Sequence, residues 1–346
     1  MAELNLLSQI AQAKLLGRGG AAFPVAKKWH RIKEHPAPKK YVVCNGSEGE
    51  PDVKKDWHIL LNYPDRVFQG IILAMNFLGT KEAFFYLNAD YYQQLQAGLD
   101  PLFKQAAAAA YQINLVLGKP SYIGGEAGAL LNTIEGKPTQ PRIKPPSPSI
   151  TGINGVPVLL QNVETFYDIA LVYAGTYQNQ RFVTINQGQN EGVFALNRDV
   201  NVEQALKDTG NYPDFAFFVQ VGGGASGVVL HQEQLAEAPL TGCASITIYP
   251  INSAVLDMLS LWSNFFAAES CGKCAPCREG SKQVKKLIDQ AIIEQKIDET
   301  LWQKILAIAG SMEKSSICGL GQALIVPLKT YYQNVYLKLD KSNQAL

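Results

Sequence analysis

The sequence predicts three folded parts in series: an α/β layer on a mainly parallel sheet, a small α+β module, and a C-terminal helical bundle. Three observations carry this. Up to about Ala174, short apolar runs alternate with stretches of helical spacing and glycine-rich turns. Between Arg181 and Pro250, short strand-like runs surround a single helical stretch. After Pro250 the apolar residues recur at helical spacing. The expected domains are 1–175, 176–250 and 251–346, and 346 residues suffice for two or three cores. An apolar content of 47% and a charged content of 18% describe a globular chain. A net charge of +1, with no long basic or acidic block, gives no support for nucleic-acid binding or a polybasic membrane anchor. The apolar stretches 67–79 and 254–268 contain polar residues or are too short to span a bilayer. The opening MAELNLLSQIAQAK lacks the basic-then-apolar layout of a signal peptide. The expected location is cytoplasmic, at most peripheral to a membrane complex.

Leu4, Leu7, Ala11 and Leu15 stand at helical spacing and predict an opening amphipathic helix. It leads into Gly17-Arg-Gly-Gly-Ala-Ala-Phe-Pro24, whose glycines let backbone N–H groups approach a phosphate or a flavin, with Arg18 available for charge. This run lacks the G-x-G-x-x-G order and precedes any strand, so a plain turn reads as well. A helix over 25–33 follows, then a strand over 40–44. The strand delivers Asn45-Gly-Ser-Glu48-Gly-Glu50-Pro-Asp52 to its carboxyl end, where α/β folds place ligands. Asn45 and the two glutamates suit ribityl hydroxyls or a ring amide, or form a solvated acidic turn. Next come a helix over 64–79, a strand over 83–87, a helix over 90–111 with an alanine tract that is helix filler, and a strand over 113–117. Ser121-Tyr122-Ile-Gly124-Gly125-Glu126-Ala-Gly128 is a second glycine-rich turn opening a helix. Residues 135–157 are rich in proline and read as an extended surface connector. Its Arg142 and Lys144 face either a nucleotide or solvent. Asn162-Val-Glu164-Thr165 opens a helix to about 174.

In the middle module, strands over 182–185, 215–221 and 245–249 accompany a helix over 202–207, and Gly222–Gly227 reads as a mobile loop. Val255, Met258, Leu259, Trp262 and Phe266 then mark one buried helical stripe. Helices over 281–295 and 301–313 and a last one to about 337 complete four helices packed as a bundle.

The most specific stretch is Glu269-Ser-Cys271-Gly-Lys-Cys274-Ala-Pro-Cys277-Arg-Glu-Gly280. Its three cysteines share one loop, and a fourth, Cys318, lies 41 residues on from Cys277 in Ser316-Ile-Cys318-Gly-Leu-Gly321. Zinc sites usually pair two C-x2-C hooks, whereas a [4Fe–4S] cubane takes a C-x2-C-x2-C run and a distant ligand. The spacing favours a cubane on Cys271, Cys274, Cys277 and Cys318, over zinc, free thiols or a disulfide pair. Cys44 and Cys243 are isolated and read as buried small hydrophobes.

Taken in order, GRGGAAFP with Lys28-Trp29, CNGSEGEP with Lys55-Asp56, YIGGEAGALLNTIEG, PRIKPPSP, QNVET, ESCGKCAPCREG and SSICGLG resemble the flavin- and NADH-binding 51 kDa subunit family of respiratory complex I. That family includes the diaphorase subunits of NAD-linked hydrogenases and formate dehydrogenases. The resemblance covers nearly the whole chain. It implies a Rossmann-like FMN domain, a ubiquitin-like β-grasp module and a four-helix bundle with a [4Fe–4S] cluster. By family position, Gly17, Arg18, Gly19, Lys28, Asn45, Glu48, Tyr122, Gly125, Glu126 and Asn162 would surround FMN. Phe23, Glu50 and Lys144 would lie along the NAD(H) groove, with Glu50 and Glu126 as the catalytic carboxylates. The implied activity is NADH:acceptor oxidoreduction, with electrons passed to a thioredoxin-like [2Fe–2S] or ferredoxin-like subunit of a larger redox complex. The chain departs from the family pattern at Ser47 (usually Asp), Ala127 (usually Glu), Ser147 (usually aromatic) and Gln161 (usually Asn). These changes support an alternative: a cluster-containing relay or scaffold that has lost NADH use.

Overall fold

Runs of aliphatic and aromatic residues too apolar for either face of a sheet to meet water require helices on both sides, and a parallel sheet with helical crossovers supplies them. In the computed structural model, residues 2–339 are described apart from 241 and 244. The contacts divide the chain into two units: Met1–Gly49 with Lys54–Gln180, and Glu50–Val53 with Arg181–Leu346.

The first unit runs α1 (Ala2–Gln12), α2 (Val25–Lys33), β1 (Tyr41–Gly46), α3 (Lys55–Asn62), α4 (Pro64–Leu78), β2 (Glu82–Asn88), α5 (Ala89–Ala108), β3 (Gln112–Gly118), α6 (Ala127–Ile134), α7 (Pro148–Thr151), β4 (Val158–Asn162) and α8 (Val163–Ala174). The four strands form one sheet in the order β3-β2-β1-β4, with every neighbouring pair parallel. All four carboxyl ends therefore open on one edge. The order reverses between β1 and β4, where Asn45 stands opposite Asn162. Val43, Tyr86, Leu130, Leu131, Val158 and Leu160 form one core layer.

Three readings of this half need correction. The opening helix forms but ends at Gln12, and Leu6 and Ile10 are its buried residues, while Leu7 is half-buried and Ala11 exposed; Leu15 is buried beyond the helix, and the side chain of Leu4 lies outside the described residues. Apolar residues occur on two faces of α1, and packing selected the other one. β4 was not expected: it is five residues long and follows the proline-rich connector. α3 was not expected because its start signal is not local. Lys54 in the capping position makes no side-chain cap. The Glu48 carboxylate caps it instead, accepting from Asp56 N at 3.0 Å and 3.1 Å and from Trp57 N at 3.4 Å.

The second unit continues with β5 (Gln180–Asn186), β6 (Gly192–Asn197), α9 (Val202–Asp208), β7 (Phe217–Val221), β8 (Val228–His231) and β9 (Ser245–Pro250). β6 and β8 were not foreseen; one is set among Gly, Gln and Asn, and the other has only four residues. The sheet order is β6-β5-β9-β7-β8, with β5 and β9 parallel and β7 antiparallel to both neighbours. Val202, Ala205 and Leu206 of α9 pack on Val183, Ile185, Val219 and Ile248. Cys243 is half-buried, whereas Cys44 is fully buried.

Helices α10 (Val255–Glu269), α11 (Ala275–Glu294), α12 (Glu299–Ser315), α13 (Gly319–Ala323) and α14 (Ile325–Tyr331) close the unit, with a π-helical turn at Tyr332–Tyr336. Met258, Leu259, Trp262 and Phe266 are buried as their spacing predicts. α11 begins well before residue 281, so Cys277 lies in its first turn and not in a loop. The open edge of β8 is covered by the end of the chain: Val229 N donates to Thr330 Oγ1 at 2.9 Å and Asn334 Nδ2 to Val229 O at 2.8 Å. No helix among the described residues is long and apolar enough to cross a membrane.

Candidate functional site

The carboxyl edge of the parallel sheet gathers most of the residues singled out from the sequence. Asn45, at the end of β1, donates its amide to Gly125 O at 3.0 Å and accepts from Ser47 N at 3.0 Å, tying the first acidic turn to the second glycine turn. Tyr122 is half-buried there. Glu126 caps α6 by accepting from Ala129 N at 2.9 Å, and its other oxygen takes the Lys144 ammonium at 2.9 Å. Asn162 ends β4, caps α8 through Glu164 N at 3.0 Å, and donates to Asp56 Oδ2 at 2.6 Å.

The first glycine loop closes over this edge. Gly17 N donates to Phe23 O at 2.9 Å, and a Cβ on Gly19 would fall 3.4 Å from Asn162 Cβ. Gly19 and Phe23 are exposed. Lys28 donates to Leu160 O at 3.0 Å, and burial pushes its ammonium down to about 8.

Behind the loops runs a buried chain of charge. Arg18 is not offered to the loop, which corrects the expectation drawn from its position. Its Nε donates to Asp168 at 2.7 Å, and Nη2 donates to the Tyr177 hydroxyl at 3.0 Å and Gln180 O at 2.9 Å. Glu164 lies 4.0 Å from Arg18 and 3.2 Å from Lys55, which also contacts Asp56 at 2.5 Å. Glu48 accepts from the Tyr91 hydroxyl at 3.0 Å. Burial, and then the charge of Asp56, pushes Glu48 up to about 7. Burial raises Asp168 to about 7 against the opposing pull of Arg18. Burial lowers Lys55, but Asp56, Glu164 and Glu48 outweigh it and raise its value. Tyr91 and Asp168 carried no sequence signal, since each is one polar residue inside an ordinary helix. Lys55-Asp56 was visible as a motif, but its partners were not.

Two further residues differ from expectation. Arg142 does not face a ligand: it pairs with Glu135 at 2.9 Å and donates to Asn132 at 2.8 Å and Gly152 O at 2.6 Å, which pins the connector. Glu50 falls in the second unit. One of its oxygens accepts from Ala225 N at 3.3 Å, Ser226 N at 2.7 Å and Ser226 Oγ at 2.6 Å; the other is buried with no partner among the described residues. Burial raises its pKa. Gly222–Gly227 is thus not a mobile loop but a largely buried cradle for this carboxylate. Gly223, at φ +144°, leaves no room for a Cβ beside it.

Three of the four cysteines stand in the first turns of helices. Cys274 immediately precedes α11 and Cys318 precedes α13; neither start has a side-chain cap. Cys277 and Cys318 are buried, Cys271 and Cys274 half-buried, and none of them is in a disulfide. Burial, and then Cys274 and Cys271, raise the Cys277 thiol. Arg278 donates to Gly272 O at 2.8 Å and holds the loop between the first two cysteines. Among the described residues, no three His, Cys, Asp or Glu side chains converge as a single-ion site.

Residues 10–171 match the Nuo51 FMN-binding domain, and residues 257–338 match the NADH-ubiquinone oxidoreductase-F iron-sulfur binding region. The chain carries both of these regions of the complex I 51 kDa subunit family, in order. It is 28% identical to the NAD-reducing hydrogenase HoxS subunit alpha of Cupriavidus necator, over 94% of this chain and 58% of that one. It is also 28% identical to an NADH-quinone oxidoreductase subunit of Rickettsia felis, over 94% of this chain and 85% of that one. The crystal structure of an NAD+-reducing [NiFe]-hydrogenase in the H2-reduced state superposes with a TM-score of 0.89 at 28% identity, covering 98% of this chain and 62% of that one. The chain thus spans about three fifths of the hydrogenase subunits it matches.

Proposed function

We propose that this chain is an electron-transfer flavoprotein subunit of the NADH:acceptor oxidoreductase type. It would bind FMN at the β1/β4 crevice and a [4Fe–4S] cluster on Cys271, Cys274, Cys277 and Cys318, and serve a ferredoxin-like or thioredoxin-like [2Fe–2S] partner in a larger redox complex. One observation carries the reading. Asn45, Glu48, Tyr122, Gly125, Glu126 and Asn162 share the one edge where the strand order reverses, and the same chain places Cys274, Cys277 and Cys318 in the first turns of helices, with Cys271 in the turn before α11. Among the described residues the Gln161 amide nitrogen is buried without a partner, in a side chain whose oxygen lies beside Gly17, and Gly19 is exposed, so the edge fits a group rich in acceptors. Four thiols, with Cys271 and Cys274 near enough to raise the pKa of Cys277, fit an iron–sulfur donor set.

When bound, FMN supplies the exchange between a two-electron hydride step and single-electron transfer, and the cluster supplies a one-electron carrier. The chain positions and balances charge. Asn45 and Asn162 present amides, Lys28 presents an ammonium, and Glu48, near pH 7 in its titration, holds or releases a proton at its carboxylate. The strand order β6-β5-β9-β7-β8 with its single helix supports a ubiquitin-like β-grasp module at 176–250. Along the chain it would stand between a Rossmann-like FMN domain (1–175) and a four-helix cluster domain (251–346). The test is anaerobic: excess NADH should bleach bound flavin within seconds. A second reading, a relay without NADH use, is favoured by the Lys144–Glu126 pair, in which two groups expected to meet ligand neutralise each other. Flavin reduced by dithionite yet unmoved by NADH and NADPH would decide for it.

A further inference from the structure

Two serine hydroxyls sit beside Cys277. Ser316 ends α12 and precedes Cys318 by two residues. Its backbone is held on both sides: its N–H donates to Met312 O at 2.9 Å, and its carbonyl accepts from Gln322 Nε2 at 2.9 Å. The residue is only 7% exposed, and its hydroxyl is buried without a partner among the described residues. It lies beside Cys277: a Cβ on Gly321 would collide with Ser316 Oγ and would fall 2.9 Å from Cys277 Cβ. A glycine at 321 is therefore what lets the hydroxyl and the thiol share this space. The second serine, Ser270, ends α10 and precedes Cys271, and its Oγ lies 3.5 Å from Cys277 Sγ.

A buried hydroxyl without an acceptor is costly, and such groups in folded proteins nearly always have a partner. The described residues supply none for Ser316, which places its partner in whatever the cysteines hold. Sulfur ligated to iron is an acceptor only, which leaves each hydroxyl one role. We propose that Ser316 and Ser270 are positioning residues whose hydroxyls donate to the sulfurs of the cluster held by Cys271, Cys274, Cys277 and Cys318, and that they raise its reduction potential. The inference rests on the cluster reading above. Its direction follows from charge: reduction adds one negative charge to the cluster, a donor hydrogen bond stabilises the more negative state more, and hydrogen bonds to cluster sulfurs are an established lever on potential.

The experiment is an anaerobic redox titration of the cluster followed by electron paramagnetic resonance, on the full chain loaded with iron and sulfide. Wild type, Ser316→Ala and Ser270→Ala are compared at equal iron content. Each substitution should lower the one-electron reduction equilibrium on the order of tenfold, about 59 mV in midpoint. In wild-type protein exchanged into D2O, the reduced cluster should also show a hydrogen-bonded exchangeable deuteron, and Ser316→Ala should lose part of that signal. An unchanged midpoint in a fully loaded Ser316→Ala protein overturns the assignment of that serine. If the variant does not hold a cluster, the wild-type deuteron signal decides alone, and its absence overturns the proposal. A wild-type chain that takes up no iron and sulfide overturns the cluster reading and this inference together, an outcome distinct from an intact cluster with an unmoved potential.

Discussion

Replacing Arg18 by Met tests the buried charge chain behind the sheet edge. The Arg18–Asp168 pair is almost wholly buried, with side chains 3% and 4% exposed. Met keeps much of the side-chain volume but removes the cation from Asp168 and Glu164, and the donor from Gln180 O. Breaking a buried pair from one side costs about 3–5 kcal/mol, because the stranded charge cannot be rehydrated. For a unit of this size, about 2–4 °C per kcal/mol, the melting temperature falls by about 10 °C. The loss should depend on pH. Asp168 already has its folded pKa raised from 3.8 to about 7, with burial as the main cause. A carboxyl whose folded pKa lies above its unfolded one contributes most below the unfolded pKa, and that contribution is lost as pH rises through the folded pKa. Without Arg18 the folded pKa climbs further, so the variant's deficit should widen as pH rises through about 7 toward pH 8. Adding Asp168→Asn removes the stranded charge, so the double variant should be more stable than Arg18→Met alone at pH 8. The assay is calorimetric melting of the full chain across that pH range. A deficit below about 1 kcal/mol, or one flat from pH 5 to 8, would refute the reasoning.

Three other outcomes are expected. Gly70→Ala would place a Cβ 2.7 Å from the Phe166 carbonyl carbon and push α4 off α8, lowering stability by about 1–3 kcal/mol, read as a lower urea midpoint at an unchanged slope. Gly223→Ala meets both a φ of +144° and the Glu50 carboxylate, so it should destabilise the second unit by at least about 1 kcal/mol and expose Ser226 to faster amide exchange; wild-type exchange would contradict the cradle. Cys318→Ser should lower bound iron below about four per chain and remove the reduced-cluster signal, which metal analysis with spectroscopy on the same sample checks.

Much of this protein was legible along the chain because the signals are local. α2 and the buried stripe of α10 follow from apolar spacing, and the strand runs of β1, β2 and β3 from their composition. The cysteine set follows from spacing alone. What was misread depends on distant partners. α3 begins where Glu48 reaches it, Arg18 turns inward to Asp168 across 150 residues of sequence, and Arg142 is drawn to Glu135 and away from the loop surface. The Gly222–Gly227 turn reads as mobile until Glu50, 176 residues from Ser226, fills it. The order of most elements and the parallel sheet were written in the residues themselves, since periodicity and spacing act through neighbours on the chain. Folding in three dimensions settled which charged side chains face the sheet edge and which pair behind it. A buried charge must find a partner, and the nearest one in space is seldom near in sequence.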